Sequence, residues 1–317
     1  MGELVFDYGE WIWRNGQMVK GNEALTHVLT HGLHYGSGVY EGIRFYETDT
    51  GSAVFRLKDH MNRFHYSASV LDMRMDFSVE ELCEATLKLV RDNGFSFGYI
   101  RPVGFYGAGK LGISPDPDTV DVAIACMPWG KYLSDAPISI GVSDNIRIHP
   151  KSLVCDAKIN GHYVNSIMAR HWAMKAGYDE GLLLDYQGNV AEGPGENIFL
   201  IKDGVLITPS KGNILPGLTR DTLMQLAVKE LGMKVEERTV TVEDLKTADE
   251  AFFTGTAAEV TVIGSVDGIG VNGAICAGLS LRECENIFPL AYKLKDLYTD
   301  LVSGHLHGYD HWLSYLK

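Results

Sequence analysis

A chain of 317 residues and 35.0 kDa is long for one ordinary core and long enough for two domains, on a prior of about 100 to 200 residues per domain. Its 45% hydrophobic and 22% charged residues are those of a globular protein with a sizeable core, which excludes intrinsic disorder. With 28 Lys and Arg against 41 Asp and Glu, the net charge of -13 excludes broad binding to a nucleic-acid backbone, though not a local pocket for one small phosphate. No apolar run of about 18 residues occurs, and the acidic N-terminus Met1–Asp7 lacks the basic and apolar regions of a leader, so neither a signal peptide nor a membrane span is expected. The cysteines are odd in number, widely spaced and without a C-x-x-C pair, which suits a reducing cytoplasm.

In chain order, "VFRLKDHMNRF" passes from strand into a helix with Asp59 as the expected N-cap and Met61, Phe64 and Ala68 on its buried face. "SVEELCEATLKLVRDNG" opens with a Ser78/Glu81 capping box, carries Leu82, Leu89 and Val90 at helical spacing, and closes on Gly94. "YIRPVGFYG" and "TVDVAIACM" read as strands, and "MPWGKYLSDAP" has the composition of a linker. We therefore expect a smaller N-terminal domain over 1–127, a linker over 128–137 and a larger C-terminal domain over 138–317. In that second part "ISIGVSDNIRI" reads as a strand and "NSIMARHWAMKAGY" as a helix with Ile167, Met168, His171 and Trp172 on one face. Two strand pairs follow, the second turning at Asp203-Gly204, then a helix from near Thr219 to before Gly232, a short helix and two more strands. Mixed elements without a regular βαβ period predict α+β domains with antiparallel pairing dominant.

Several motifs carry less than their spelling suggests. Gly107 to Gly112 matches G-x-G-x-x-G, but Ser114-Pro115-Asp116-Pro117 forbids the helix that a dinucleotide site needs, and a glycine loop bordering a cleft is the better reading. His27, His31 and His34, and separately His305, His307 and His311, are broken up by glycines and lack H-E-x-x-H spacing, so no metal site is expected.

"AEGPGENIFLIKDGVLITPSKGNILPGLTR" is more specific. Glu192 enters a glycine-rich turn, a hairpin follows, and "LPGLTR" brings Leu218 and Thr219 to a helix start whose N–H groups can hold an anion. Together with "HGLHYGSGVYEGIR", "HMNRFHYSA", "YIRP", "PWGKYL", "AKINGHYVNS" and "TGTAAE", in that family's order and approximate spacing, this stretch makes nearly the whole chain resemble a class IV (fold type IV) pyridoxal-phosphate aminotransferase, and within that class a branched-chain amino acid aminotransferase.

The resemblance implies two mixed α/β domains of the D-amino acid aminotransferase-like architecture with the active site at their interface. It implies reversible transamination between branched-chain L-amino acids and 2-oxoglutarate through a pyridoxal 5′-phosphate Schiff base, by ping-pong half-reactions. Lys158 matches the lysine that carries the Schiff base, Glu192 the carboxylate beside the pyridine nitrogen, and Tyr163 the partner of the cofactor's phenolic oxygen. Leu218, Thr219, Thr256 and Arg63 match the phosphate site. Tyr40, Tyr99, Arg101, Trp129 and Tyr132 match the substrate pocket, with the α-carboxylate on Tyr99 and the N–H groups of Thr256 and Ala257. Tyr35 and Ile113 match positions reaching in from a neighbouring subunit, which implies a homodimer or larger homo-oligomer. Taken alone, Lys158 reads as a solvated lysine, Arg63 as one half of a surface ion pair and Thr219 as an N-cap. Pro194, where a small residue is usual, and His162, in place of Asn, depart from the pattern without deleting a functional group. The alternatives are a D-amino acid or (R)-amine transaminase, an aminodeoxychorismate lyase-like enzyme or, in another class, a cofactor-free two-lobed binding protein.

Overall fold

The computed structural model describes residues 8–130, 132–274, 276 and 278–316; the N-terminal heptapeptide that bears on a leader lies outside them. The described chain forms two compact units. The first comprises the chain up to Gly130, Ala157–Gly161 and the chain from Leu301; the second comprises 132–156 and His162–Asp300. Lys158, placed by the sequence in the C-terminal part, thus belongs to the first unit. Its carbonyl accepts the Tyr40 N–H at 3.2 Å, Ile159 forms a bridge with Val39, and the Gly161 N–H donates to the Gly36 carbonyl at 3.1 Å. A five-residue return to an earlier sheet leaves no mark on local periodicity.

The sheet of the first unit runs in the order Leu313–Tyr315, Ala53–Phe55, Ile43–Tyr46, Gly98–Tyr106, Val120–Met127, Trp11–Arg14, Gln17–Lys20, with Gly38–Tyr40 also paired to Gly98–Tyr106. Gly98–Tyr106 and Val120–Met127 pair antiparallel from Tyr99 opposite Met127 to Tyr106 opposite Val120. Helix Leu57–Val70 buries Met61, Phe64 and Ala68 as expected, and also His60 and Ser67. Burying Met61 and Phe64 contributes about 1.5–3 kcal/mol each. Helix Val79–Asn93 has its Ser78/Glu81 capping box and ends on Gly94 at φ 71°.

One helix start differs from expectation. Arg56, at φ 49°, precedes Leu57–Val70, and Asp59 sits inside the first turn, accepting from Arg56 Nε at 2.6 Å. The Arg56 N–H donates to the Trp312 carbonyl at 2.7 Å and its guanidinium lies 4.8 Å from the Trp312 ring. A contact from the far end of the chain fixes this entrance, so a local cap signal could not have shown it.

The sheet of the second unit runs Val190–Glu192, Glu180–Leu184, Ile138–Val142, Glu259–Val266, Glu250–Gly255, Asn197–Lys202, Val205–Pro209, Val235–Arg238, with Ile269–Gly270 also on Glu259–Val266. Ile138–Val142 is parallel to both neighbours and Val235–Arg238 is parallel to Val205–Pro209, while the other pairs are antiparallel. The strand expected to run on from Ile138 stops at Val142, and a loop carries Arg147. Asp203 (φ 48°) and Gly204 (φ 73°) make the two-residue hairpin turn. Helix Tyr163–Ala176 buries Ala169 and Ala173, and the apolar face expected of it points outward, with Ile167 and Met168 each 53% exposed.

Candidate active-site groups

In the first unit, the Tyr40 end of Gly38–Tyr40, the Tyr99–Arg101 stretch of its neighbour and Lys158 come together. Alternation along the strand sends Tyr99 and Arg101 to one face. The Arg101 guanidinium lies 4.5 Å from the Tyr40 ring centroid and 5.1 Å from that of Tyr99, and Nη2 donates to the Tyr99 hydroxyl at 3.2 Å. The Lys158 Nζ stands 4.9 Å from the Tyr40 ring, and the Tyr99 and Trp129 rings pack with centroids 5.4 Å apart. Gly42 makes room for the Tyr99 hydroxyl: a Cβ there would stand 1.9 Å from its oxygen.

Helix Leu57–Val70 supplies the polar wall of this cluster. Its Ser67 hydroxyl accepts the Lys158 N–H at 2.8 Å. Arg63 and His60, on the same helix, converge on Glu41, which is fully buried. Arg63 donates from Nε to Oε1 at 2.7 Å and from Nη2 to Oε2 at 2.9 Å, and the His60 Nδ1 meets Oε2 at 2.7 Å. Burial alone would raise the Glu41 pKa, but the Arg63 charge and hydrogen bonds, then His60, outweigh it and hold the carboxyl well below the usual carboxylate range. Burial pushes the His60 pKa down against the pull of Glu41, and the charges of Arg63 and Lys158 push the same way. Because an ionised carboxylate only accepts, the His60 Nδ1 carries the hydrogen that it donates to Glu41.

In the second unit Glu192 is enclosed by donors. Arg147 Nε reaches Oε1 at 2.5 Å, Asn197 Nδ2 reaches Oε2 at 2.8 Å, and the Leu215 N–H lies 3.2 and 3.1 Å from the two oxygens. Burial disfavours the Arg147 charge, but Glu192 outweighs it and raises the Arg147 pKa; Tyr163 acts on the same guanidinium. With Pro194 at the bend, the Gly193 N–H still closes onto the Glu196 carbonyl at 2.7 Å. Leu218 and Thr219 open the 14-residue helix Leu218–Leu231 behind Gly217, in the turn where helix geometry provides no intrahelical acceptor for N–H groups. Thr219 is buried. Thr256 and Ala257 lie in the tight turn between Glu250–Gly255 and Glu259–Val266, and Ala257 lines a small cavity with Tyr132, Ser134, Asp135 and Lys295.

Tyr35 and Ile113 lie elsewhere in the first unit. The Tyr35 hydroxyl donates to the Leu111 carbonyl at 2.9 Å and its ring packs on His31, whose Nε2 is 2.9 Å from the Gly112 carbonyl. Tyr35 is 47% and Ile113 84% exposed. The glycine run 107–112 is followed by no helix, and among the described residues no group of His, Cys, Asp or Glu is placed to hold a metal. Sequence reasoning assigned no role to Glu41 and His60, although both stand inside quoted motifs, or to Arg147, eleven residues before Lys158 in a polar loop with no local signal. Asn197 was equally missed; its signal was its place at the end of "EGPGEN".

The amino-transferase class IV family model matches residues 38–266. The branched-chain-amino-acid aminotransferase of Pseudomonas aeruginosa is 43% identical over 310 residues, covering 96% of this chain and 97% of the relative. The structure of the T.th. branched-chain amino acid aminotransferase complexed with N-(5′-phosphopyridoxyl)-L-glutamate superposes with a TM-score of 0.90 at 42% identity, covering 98% of this chain and 99% of that one. The same enzyme complexed with 4-methylvaleric acid gives a TM-score of 0.89 at 41% identity, with 98% and 99% covered. The fold is therefore the mixed α/β fold of fold type IV, and the chain is an enzyme. It belongs to the amino-transferase class IV family.

Proposed function

We propose that this enzyme uses pyridoxal 5′-phosphate to transfer the amino group between branched-chain L-amino acids and 2-oxoglutarate, in ping-pong half-reactions. The observation that carries the reading is the placement of the Lys158 amine against the Tyr40 ring, in a cluster that also holds Arg63 and Arg101. The donor set fits the cofactor: a primary amine, a guanidinium, a helix start with a buried threonine, and a carboxylate surrounded by donors. When bound, pyridoxal phosphate supplies an electron sink that lets the amino acid's Cα–H bond break.

Lys158 holds the cofactor covalently and carries the proton to and from Cα. Glu192, fixed by Arg147, Asn197 and the Leu215 N–H, keeps the proton on the pyridine nitrogen, and Tyr163 donates to the phenolic oxygen. The N–H groups of Leu218 and Thr219, the Thr219 and Thr256 hydroxyls and Arg63 take the phosphate. Tyr99 and the N–H groups of Thr256 and Ala257 receive the α-carboxylate; Tyr40, Trp129 and Tyr132 enclose an aliphatic side chain. Arg101 answers the γ-carboxylate of glutamate. Support for one pocket with two kinds of guest comes from the two T.th. complexes, one with a glutamate adduct and one with a branched aliphatic acid. Support for at least a homodimer comes from the exposure of the apolar side chains Val28, Leu33, Tyr35, Leu111 and Ile113, on two segments joined by the Tyr35 hydroxyl and the Leu111 carbonyl, with Tyr35 and Ile113 serving the neighbouring copy's pocket.

Borohydride reduction of the purified enzyme followed by peptide mapping tests the assignment. The pyridoxyl group is expected on the peptide containing Lys158 and absent from Lys158→Ala; recovery on another lysine overturns it.

A further inference from the structure

We propose that Glu41, backed by His60, is the positioning residue for Arg63: it fixes the plane of the guanidinium and thereby sets how tightly the enzyme holds a phosphate-bearing cofactor. The inference rests on the reading of Arg63 as a phosphate ligand. Four observations carry it. Glu41 is fully buried in the two-residue break between Gly38–Tyr40 and Ile43–Tyr46, which both run antiparallel along Gly98–Tyr106, and its N–H donates to the Pro102 carbonyl at 2.9 Å. Both of its oxygens take Arg63, at 2.7 and 2.9 Å, along the Nε/Nη2 edge, so the guanidinium plane is fixed by two points and its rotation is blocked. His60 adds a third donor at 2.7 Å, one helical turn before Arg63, which fixes the carboxylate in turn. The Gly42 N–H approaches the same carboxylate at 3.3 Å.

Two effects of removing the Glu41 charge oppose each other. Loss of a carboxylate leaves the surroundings more positive, which alone would tighten a phosphate. An amide in its place, however, offers one acceptor oxygen where Arg63 Nε, Arg63 Nη2 and His60 Nδ1 all donate, and its own NH2 faces at least one of those donors. In a site this buried the donor–donor clash must be relieved by turning the guanidinium, and orientation prevails over charge.

The test compares pyridoxal 5′-phosphate with pyridoxal, which differs by the phosphate alone, as ligands of the full-length enzyme freed of cofactor, with dissociation constants read from visible absorbance. Glu41→Gln is expected to weaken pyridoxal 5′-phosphate about ten- to a hundredfold and pyridoxal less than about twofold. His60→Asn, which keeps the Glu41 charge, is expected to show the same split at about two- to fivefold and serves if Glu41→Gln does not fold. Arg63→Gln is the reference. If it fails to separate the two ligands, the phosphate reading of Arg63 is wrong. If it separates them while the folded Glu41 and His60 variants leave pyridoxal 5′-phosphate unchanged or tighter, or weaken both ligands alike, the positioning role is wrong.

Discussion

The Arg101 guanidinium lies over the rings of Tyr40 and Tyr99 and bonds the Tyr99 hydroxyl, so without a carboxylate guest its charge is already cushioned by aromatic faces. An apolar side chain can then share the pocket with it. Arg101→Ala is expected to cost the glutamate half-reaction about 2 to 4 kcal/mol, or about 30- to 1,000-fold, and the leucine half-reaction far less. Single-turnover kinetics with each amino acid measures the split; equal losses would make Arg101 a packing residue. Gly42 tests the partner group. Its substitution by Ala places a methyl 1.9 Å from the Tyr99 oxygen, on a ring that is only 6% exposed and packed on Trp129, so the hydroxyl must move. The KM for leucine and for glutamate should both rise about tenfold, since a hydrogen bond to their common α-carboxylate is lost. An unchanged KM in a folded Gly42→Ala enzyme would remove Tyr99 from that role.

Between strand and helix, the "EGPGEN" segment and the helix start at Leu218 are held together by Asn197, which donates to both Glu192 and the Leu215 carbonyl at 2.8 Å. A Cβ at Gly217 would stand 2.1 Å from the Asn197 Oδ1. Gly217→Ala is therefore expected to loosen Glu192, lower kcat about ten- to a hundredfold and lower the melting temperature by a few degrees, because one buried hydrogen-bond network is displaced. The same segment carries a proton. Burial, then the neighbouring Glu180 carboxylate, pushes the Glu196 pKa up to about 8, with the Gly195 N–H and Arg170 opposing and Glu192 adding to the rise. Burial raises Glu180 too, against its ion pair with Arg170 at 2.5 Å, so the two carboxyls titrate as a pair. A carboxyl whose folded pKa lies above its unfolded one keeps its proton in the native state. Its stability contribution is full below about 4.5 and is lost as pH rises towards about 8. Chemical denaturation across that window should show Glu196→Gln gaining stability relative to the unaltered enzyme as pH rises, since the opposing contribution of His60 is common to both; a difference that does not change with pH would place the titration elsewhere.

Much of this architecture was legible in the chain because its signals are local. The Ser78/Glu81 box, the Gly94 and Gly232 ends and the Asp203-Gly204 turn each need only a few neighbouring residues to act. What was not legible depends on distant partners: Arg56 rather than Asp59 opens its helix because Trp312 receives its N–H, and Lys158 returns to the Tyr40 strand. Among the site groups, Lys158, Glu192 and Arg63 were reached through motif order. Glu41, His60 and Arg147 were not, since a buried ion network is defined by which side chains meet and not by spacing.

The exposed apolar group around Tyr35 and Ile113 should be covered in an assembly, and sedimentation at micromolar concentration is expected to give no monomer; a monomer with full activity would mean that each chain completes its own pocket. The choice of amino donor separates this enzyme from others of its fold. The decisive measurement is the loss of the cofactor's visible band in single turnovers with L-leucine, D-alanine and an (R)-amine, followed by its recovery with 2-oxoglutarate. We expect fast loss with L-leucine, recovery with 2-oxoglutarate, and rates lower by orders of magnitude for the other two donors. Faster turnover of D-alanine or the (R)-amine than of L-leucine would contradict this and assign the chain to another activity within the family.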